Sequence, residues 1–409
     1  MGLAVPAVAS GRATLAIFLS LALLSVIYQT ITTTKRIGFQ RSFISEYFGL
    51  FTLCCLTCLL FTPNIIFSYD TGSSLETWIR HILLPIAIFF VCWHLQNCTF
   101  IQGKLLTIGI LFVSTVGITA FYIEPNIYSL LKFTPVTFLQ VYQGFKPPSN
   151  AFVLAIPLLI FFAFNYSGIW RLLSLCAVIC IVSLIFIFDA KASMVALIAA
   201  ALAPIALYIF SSTTWKINLI AIILITLAIL GVGEWLVQKQ YMTSVANQDL
   251  AYLPVWLIDF HRQTIWQFAL ELWQQSPWVG YGINASNLHP MATQTLINYY
   301  GPSYIPLADV PAQLLPGHPH NWVLEILLDT GVIGFVPFIS LVCVIFWKNI
   351  TEYWKTRHPA LLVLFSINAA YWGSGLFNFS YWAAWWQASY YICAFTSLII
   401  YLNVRKELS

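Results

Sequence analysis

Charge is the scarcest thing in this chain. Asp, Glu, Lys and Arg make up only 8% of its 409 residues, where soluble domains carry about 25%. That shortage excludes an ordinary globular protein. Also missing are a DxD pair, a glycine-rich phosphate loop and an HExxH helix, which argues against a nucleotide or metal cofactor. No basic run interleaved with aromatics points to a nucleic-acid partner. Nine cysteines are present, but Cys98 apart they fall inside apolar runs, and none lies between 238 and 320. Neither a disulfide framework nor a structural zinc site is expected. The Cys55-x-x-Cys58 pair reads as helix packing.

Apolar surface is what the sequence has in excess. Hydrophobic residues make up 60% of it, and runs near the ~20 residues needed to cross a bilayer core recur along it. They fall near 13–33, 44–62, 79–95, 105–122, 151–165, 172–188, 193–211, 217–237, 331–347, 359–377 and 384–402. The expected fold is an all-α polytopic membrane protein of eleven or twelve transmembrane helices, with one large loop containing amphipathic helices. The first run follows Arg12 and is not succeeded by a small-residue cleavage site, so it reads as a retained span rather than a signal peptide. Three regions result: an N-terminal transmembrane bundle, 1–237; a long polar loop region, 238–330; and C-terminal transmembrane helices, 331–409.

Lys and Arg orient the spans through the positive-inside bias. With the 35–43 connection inside, Lys35, Arg36, Arg41, Lys104, Arg171, Lys216, Lys348, Lys355, Arg357, Arg405 and Lys406 fall inside. Arg12, Arg80, Lys132, Lys146, Lys191, Lys239 and Arg262 fall outside. The 238–330 segment then faces the periplasm or cell exterior, with the N-terminus outside and the C-terminus inside. His81, His94 and His358 sit near span ends as interface residues. The aromatic run 381–391 reads as a ring belt at the membrane surface.

Within the long loop, Thr264 to Gln275 reads as an amphipathic helix. Ile265, Phe268, Ala269, Leu272 and Trp273 make its apolar stripe, opposite Gln267, Glu271, Gln274 and Gln275. Ser276-Pro277 and the glycines of 278–284 end it, and 299–319 should be irregular. The segment Gly317-His318-Pro319-His320-Asn321 then leads into a helix carrying Glu325, Asp329, Gly331 and Gly334. The glycines would permit close helix approach. Histidine at the mouth of a span reads either as a helix cap or as a base poised near neutrality.

The pattern His320-Asn321, nine residues, Gly331, two residues, Gly334 resembles the signature of the O-antigen ligase and O-antigen polymerase superfamily. His318 completes an HxHN arrangement similar to that of the ligases. Arg262 and Trp266, followed by Pro277, Gly280 and Gly282, resemble the family's R-x3-W helix and P-x-x-G-x-G turn. Asp189-Ala190-Lys191-Ala192-Ser193 resembles its short basic-small motif, with lysine in place of the usual arginine, a point charge instead of a bidentate fork.

The resemblance implies a metal-independent, cofactor-free glycosyl transfer at the periplasmic face of a bacterial inner membrane. The donor would be a glycan on undecaprenyl pyrophosphate, and the acceptor a sugar hydroxyl of the lipid A core. His320 would be the base, with His318 and Asn321 supporting it. Arg262 and Lys191 would hold the pyrophosphate, and Gly331 and Gly334 would shape the helix. Local pairing of Arg262 with Asp259, and snorkelling of Lys191 beside Asp189, are the plainer alternatives. A polymerase using a second carrier-linked repeat as acceptor shares the same chemistry. A transporter is the reading from another class, but it should place its charges near the bilayer midplane, and here they cluster at outer span ends.

Overall fold

The computed structural model describes residues 1–32, 48–211, 248–252, 258–301 and 312–408. No strand occurs among them, only an isolated bridge between Thr295 and Gln313. The membrane helices are α1 (Arg12–Thr32), α2 (Phe48–Leu60, continued by Thr62–Ile66), α3 (Thr71–His94) and α4 (Thr99–Tyr122). A bent pair follows, with Phe138–Val153 and α6 (Ile156–Asn165) meeting at 50°; the first of the two stretches holds α5 (Lys146–Val153). Then come α7 (Ile169–Ile187), α8 (Lys191–Phe210), α10 (Trp322–Thr356), α11 (Pro359–Ser374) and α12 (Ala384–Leu408). Between α8 and α10 the extramembrane region contributes α9 (Phe260–Gln275).

Eight helices among the described residues are long and apolar enough to cross a bilayer, nine if the bent pair is one span. This is an all-α polytopic membrane protein. Of the eleven expected spans, 217–237 lies outside the described residues, as do Lys35, Arg36, Arg41, Lys216 and Lys239. The last expected span is a helix, α12, but Gln387, Ser389, Thr396, Ser397 and Asn403 keep it from matching the other spans in apolarity.

Two boundaries move. The span expected from residue 331 begins at Trp322, because the Asn321 side chain accepts from the Val323 and Leu324 amides and caps the helix there. The segment ahead of α1 does not lie loosely outside. Ala4, Val5 and Ala9 are fully buried along α4. The Gly2 amide bonds Gln102 near one end of α4, and Tyr128, beyond its other end, donates to Ala9. Gly103, Gly109 and Gly117 leave room on α4 for Phe162, Pro6 and Phe145.

The loop region has a small core of its own. Ile265, Phe268, Ala269 and Leu272 of α9 are buried, as the periodicity predicted, against Tyr281, Ala292, Leu296, Leu314, Leu315 and Leu328. Leu328 belongs to α10, so this core joins the loop region to the membrane bundle.

Candidate active site

The site is built where α10 breaks. Gly331 has φ +58° and ψ −170°, outside helical geometry, in the middle of an otherwise continuous helix. A break releases backbone groups that need partners, and the 277–284 turn supplies them. Val332 and Ile333 amides donate to the Pro277 and Trp278 carbonyls, while Tyr281 and Gly282 amides donate to Leu328 and Asp329. A Cβ on Gly331 would collide with the Trp278 carbonyl, and one on Gly280 (φ +68°) would sit 2.5 Å from the Asp329 backbone. The glycines were expected to admit a neighbouring helix. At Gly331 the partner is instead a loop, whereas Gly334 does face α2, at Phe61.

This junction holds α9 against the mouth of α10. Arg262 and Trp266 are one turn apart on α9, so they share a face. Trp266 donates from its indole to the Pro319 carbonyl at 2.9 Å, which sets the turn carrying both histidines beside Arg262. The His318 and His320 rings lie 4.2 Å apart between centroids. His320 has φ +55°, a conformation costing about 1 kcal/mol or more in a non-glycine residue. Its Nδ1 is 3.2 Å from the Asn378 carbonyl. A carbonyl only accepts, so Nδ1 carries the proton and Nε2 keeps its lone pair. Burial, and then the Arg262 charge, hold the His320 pKa below the usual imidazole value. His318 falls further, to about 3, by burial and the neighbouring His320.

The cations converge on the same place. Asp259 caps α9, accepting from the Arg262 amide at 3.0 Å, and pairs with its guanidinium at 3.5 Å. The local ion pair weighed as an alternative is therefore present, yet the Arg262 charge still acts on both histidines. Lys191 opens α8 after a turn in which Asp189 has φ +45°. Its ammonium interacts with Asp189, Asp259, Arg262 and Lys146. Arg262 thus links Lys191 to His320. Asn321 is near too, but its side-chain oxygen is occupied in capping α10.

Three residues of this neighbourhood were not singled out from the sequence. Lys146 brings a third cation, with its ammonium 4.8 Å over the Tyr142 ring. Asn378 and Asn150, both buried, join through the Asn378 amide and the Asn150 oxygen at 3.1 Å. The available signal was an amide directly at the edge of an apolar run, which needs a partner wherever it is buried. Glu325 and Asp329 are buried. Glu325 accepts from the Ser380 hydroxyl and the Tyr381 amide, and Asp329 accepts from the Trp382 indole at 2.7 Å and the Asn284 amide at 2.9 Å. The two carboxylates clamp the segment that follows Asn378.

That segment overturns another expectation. Tyr381, Trp382, Trp385, Trp386 and Tyr390 are buried, stacked among Tyr371, Trp372 and Phe338, so the aromatic run is core packing and not a surface belt. His81 is not an interface residue either; it packs among Phe61, Tyr381 and Trp382. His358 caps α11, accepting from the Ala360 amide.

Residues 176–339 match the family described as O-antigen ligase, a stretch that contains Lys191, Arg262, His320, Gly331 and Gly334. Over this stretch the chain is similar to the O-antigen ligase family. Its relatives agree. A protein of Rickettsia conorii named "Putative polysaccharide ligase" is 27% identical over 347 residues, covering 83% of this chain and 75% of that protein. One of Rickettsia felis with the same name is 28% identical over 347 residues, 83% of this chain and 76% of that protein. A third, of Rickettsia prowazekii, is 26% identical over 362 residues, 86% of this chain and 83% of its own. The superfamily and the multi-pass architecture fit one another, since the matched stretch runs from α7 to α10 through the site.

Proposed function

We propose that this chain is an O-antigen ligase, moving a glycan from undecaprenyl pyrophosphate to a sugar hydroxyl of the lipid A core at the periplasmic face of a bacterial inner membrane. The observation that carries the reading is a His320 ring held through Nδ1 by the Asn378 carbonyl, with the Arg262 charge bearing on it. An acceptor hydroxyl has a high pKa and needs a base as its oxygen attacks the anomeric carbon. Its proton passes to His320 Nε2. The bond from that carbon to the pyrophosphate breaks, and the electron pair stays on the phosphate oxygen. Arg262 and Lys191 stabilise the charge that develops there. His318 excludes water and packs the His320 ring, while Asn321 fixes where α10 begins.

In purified enzyme supplied with lipid-linked donor and lipid A core, His320→Ala should lower transfer by about 10²-fold or more, the usual worth of a general base. Membrane insertion should be unchanged. Full activity in that variant sinks the assignment. In cells, loss of a ligase leaves bare core with carrier-linked polymer accumulating. Core bearing a single repeat would instead mean that the chain is a polymerase.

A further inference from the structure

We propose that the buried Asn150–Asn378 pair is a positioning device that fixes the tautomer and aim of His320. The inference rests on the reading of His320 as base. Asn150, on α5, donates to the Lys146 carbonyl at 2.9 Å and accepts from the Asn378 amide at 3.1 Å. The Asn378 carbonyl then receives His320 Nδ1 at 3.2 Å. Only 3% and 4% of the two asparagines are exposed, so neither amide has water as a substitute partner.

Asn378 lies in the extended link between α11 and α12, where nothing in regular secondary structure dictates which way its carbonyl points. Glu325 anchors the link at Ser380 and Tyr381, and the asparagine pair anchors it at residue 378. An imidazole left without this acceptor would populate both tautomers, half of them with the proton on the atom that must take one.

The test is the pH–rate profile of Asn150→Leu and Asn378→Leu, each near-isosteric and unable to bridge. Charged and titratable groups facing His320 are His318, Arg262, Asp259 and His261, and none is altered. The carbonyl stabilises the imidazolium, so weakening that bond should move the acid limb of kcat to lower pH. The plateau should fall about tenfold, KM for donor should stay within about twofold, and the double variant should match the singles, because each single already breaks the bond between the two asparagines. An acid limb that stays in place overturns the inference, however far the rate falls. Asn150→Asp retains an acceptor for the Asn378 amide and should keep kcat within about threefold; a loss as large as that of the leucine variants also overturns it. His320→Gln measured alongside separates the two readings, since activity surviving there refutes the base itself.

Discussion

The residue that decides most at this site is Arg262, because it does two things at once. Its guanidinium pairs with Asp259 and its charge depresses the His320 pKa. A depressed pKa keeps the imidazole neutral, and able to accept a proton, down to a lower pH. Activity should therefore be lost on acidification only below the ordinary imidazole range near 6.5. Burial is the larger cause of that depression, and removing the cation leaves burial to act without it. In Arg262→Gln the His320 pKa should rise, so the acid limb of kcat/KM should move to higher pH while KM for the donor increases. A limb that fails to move would show that Arg262 pairs locally and leaves the histidine alone. Lys191→Arg is a gentler probe. Lysine departs from the family's arginine, so if a point charge suffices, the arginine variant should hold transfer within about threefold, measured with the same donor.

Among the elements, the break in α10 is the one whose cause is most local and whose effect is widest. Gly331 at φ +58° lies against the Trp278 carbonyl, and Gly280 lies against Asp329. Gly331→Ala should cost about 1–3 kcal/mol from the backbone conformation alone, with the clash added. A fall in the thermal midpoint of the detergent-solubilised protein, and transfer reduced at least tenfold, are expected. Gly280→Ala should do much the same, and the double variant should be less than additive, because both disrupt one junction. Additive losses would mean two independent sites of strain. The α9 stripe was legible in the sequence because a period of 3.6 is a local property, and Asn321 was recognisable at the helix mouth. The break itself was not legible. The turn that requires it lies some 50 residues earlier in the chain, and a glycine in a span looks the same whether a helix or a loop approaches it. Composition likewise cannot separate rings at a membrane surface from rings buried between helices, which is why 381–391 was misread and why Asn378 went unnoticed beside it.

At the scale of the whole molecule, the length of α10 sets how far apart its two ends lie. From Val332 to Thr356 it runs 25 residues beyond the break, about 37 Å at 1.5 Å per residue, more than the ~30 Å hydrocarbon core. His320 and Lys355 must therefore lie on opposite faces. The Lys355 end gathers Glu352, Arg405, Tyr401 and Arg357, a basic collection suited to the cytoplasmic side. The His320 end gathers Arg262, Lys191 and Lys146 around two carboxylates, a smaller cationic excess. Alkaline phosphatase, active only outside the inner membrane, should be active when fused after Gln294 and inactive when fused after Thr356. A reporter that works only in the cytoplasm should give the opposite pattern. Were the two reversed, the lipid-linked donor would have to react on the cytoplasmic leaflet, and the proposed transfer to lipid A core on the periplasmic face would be impossible for this site.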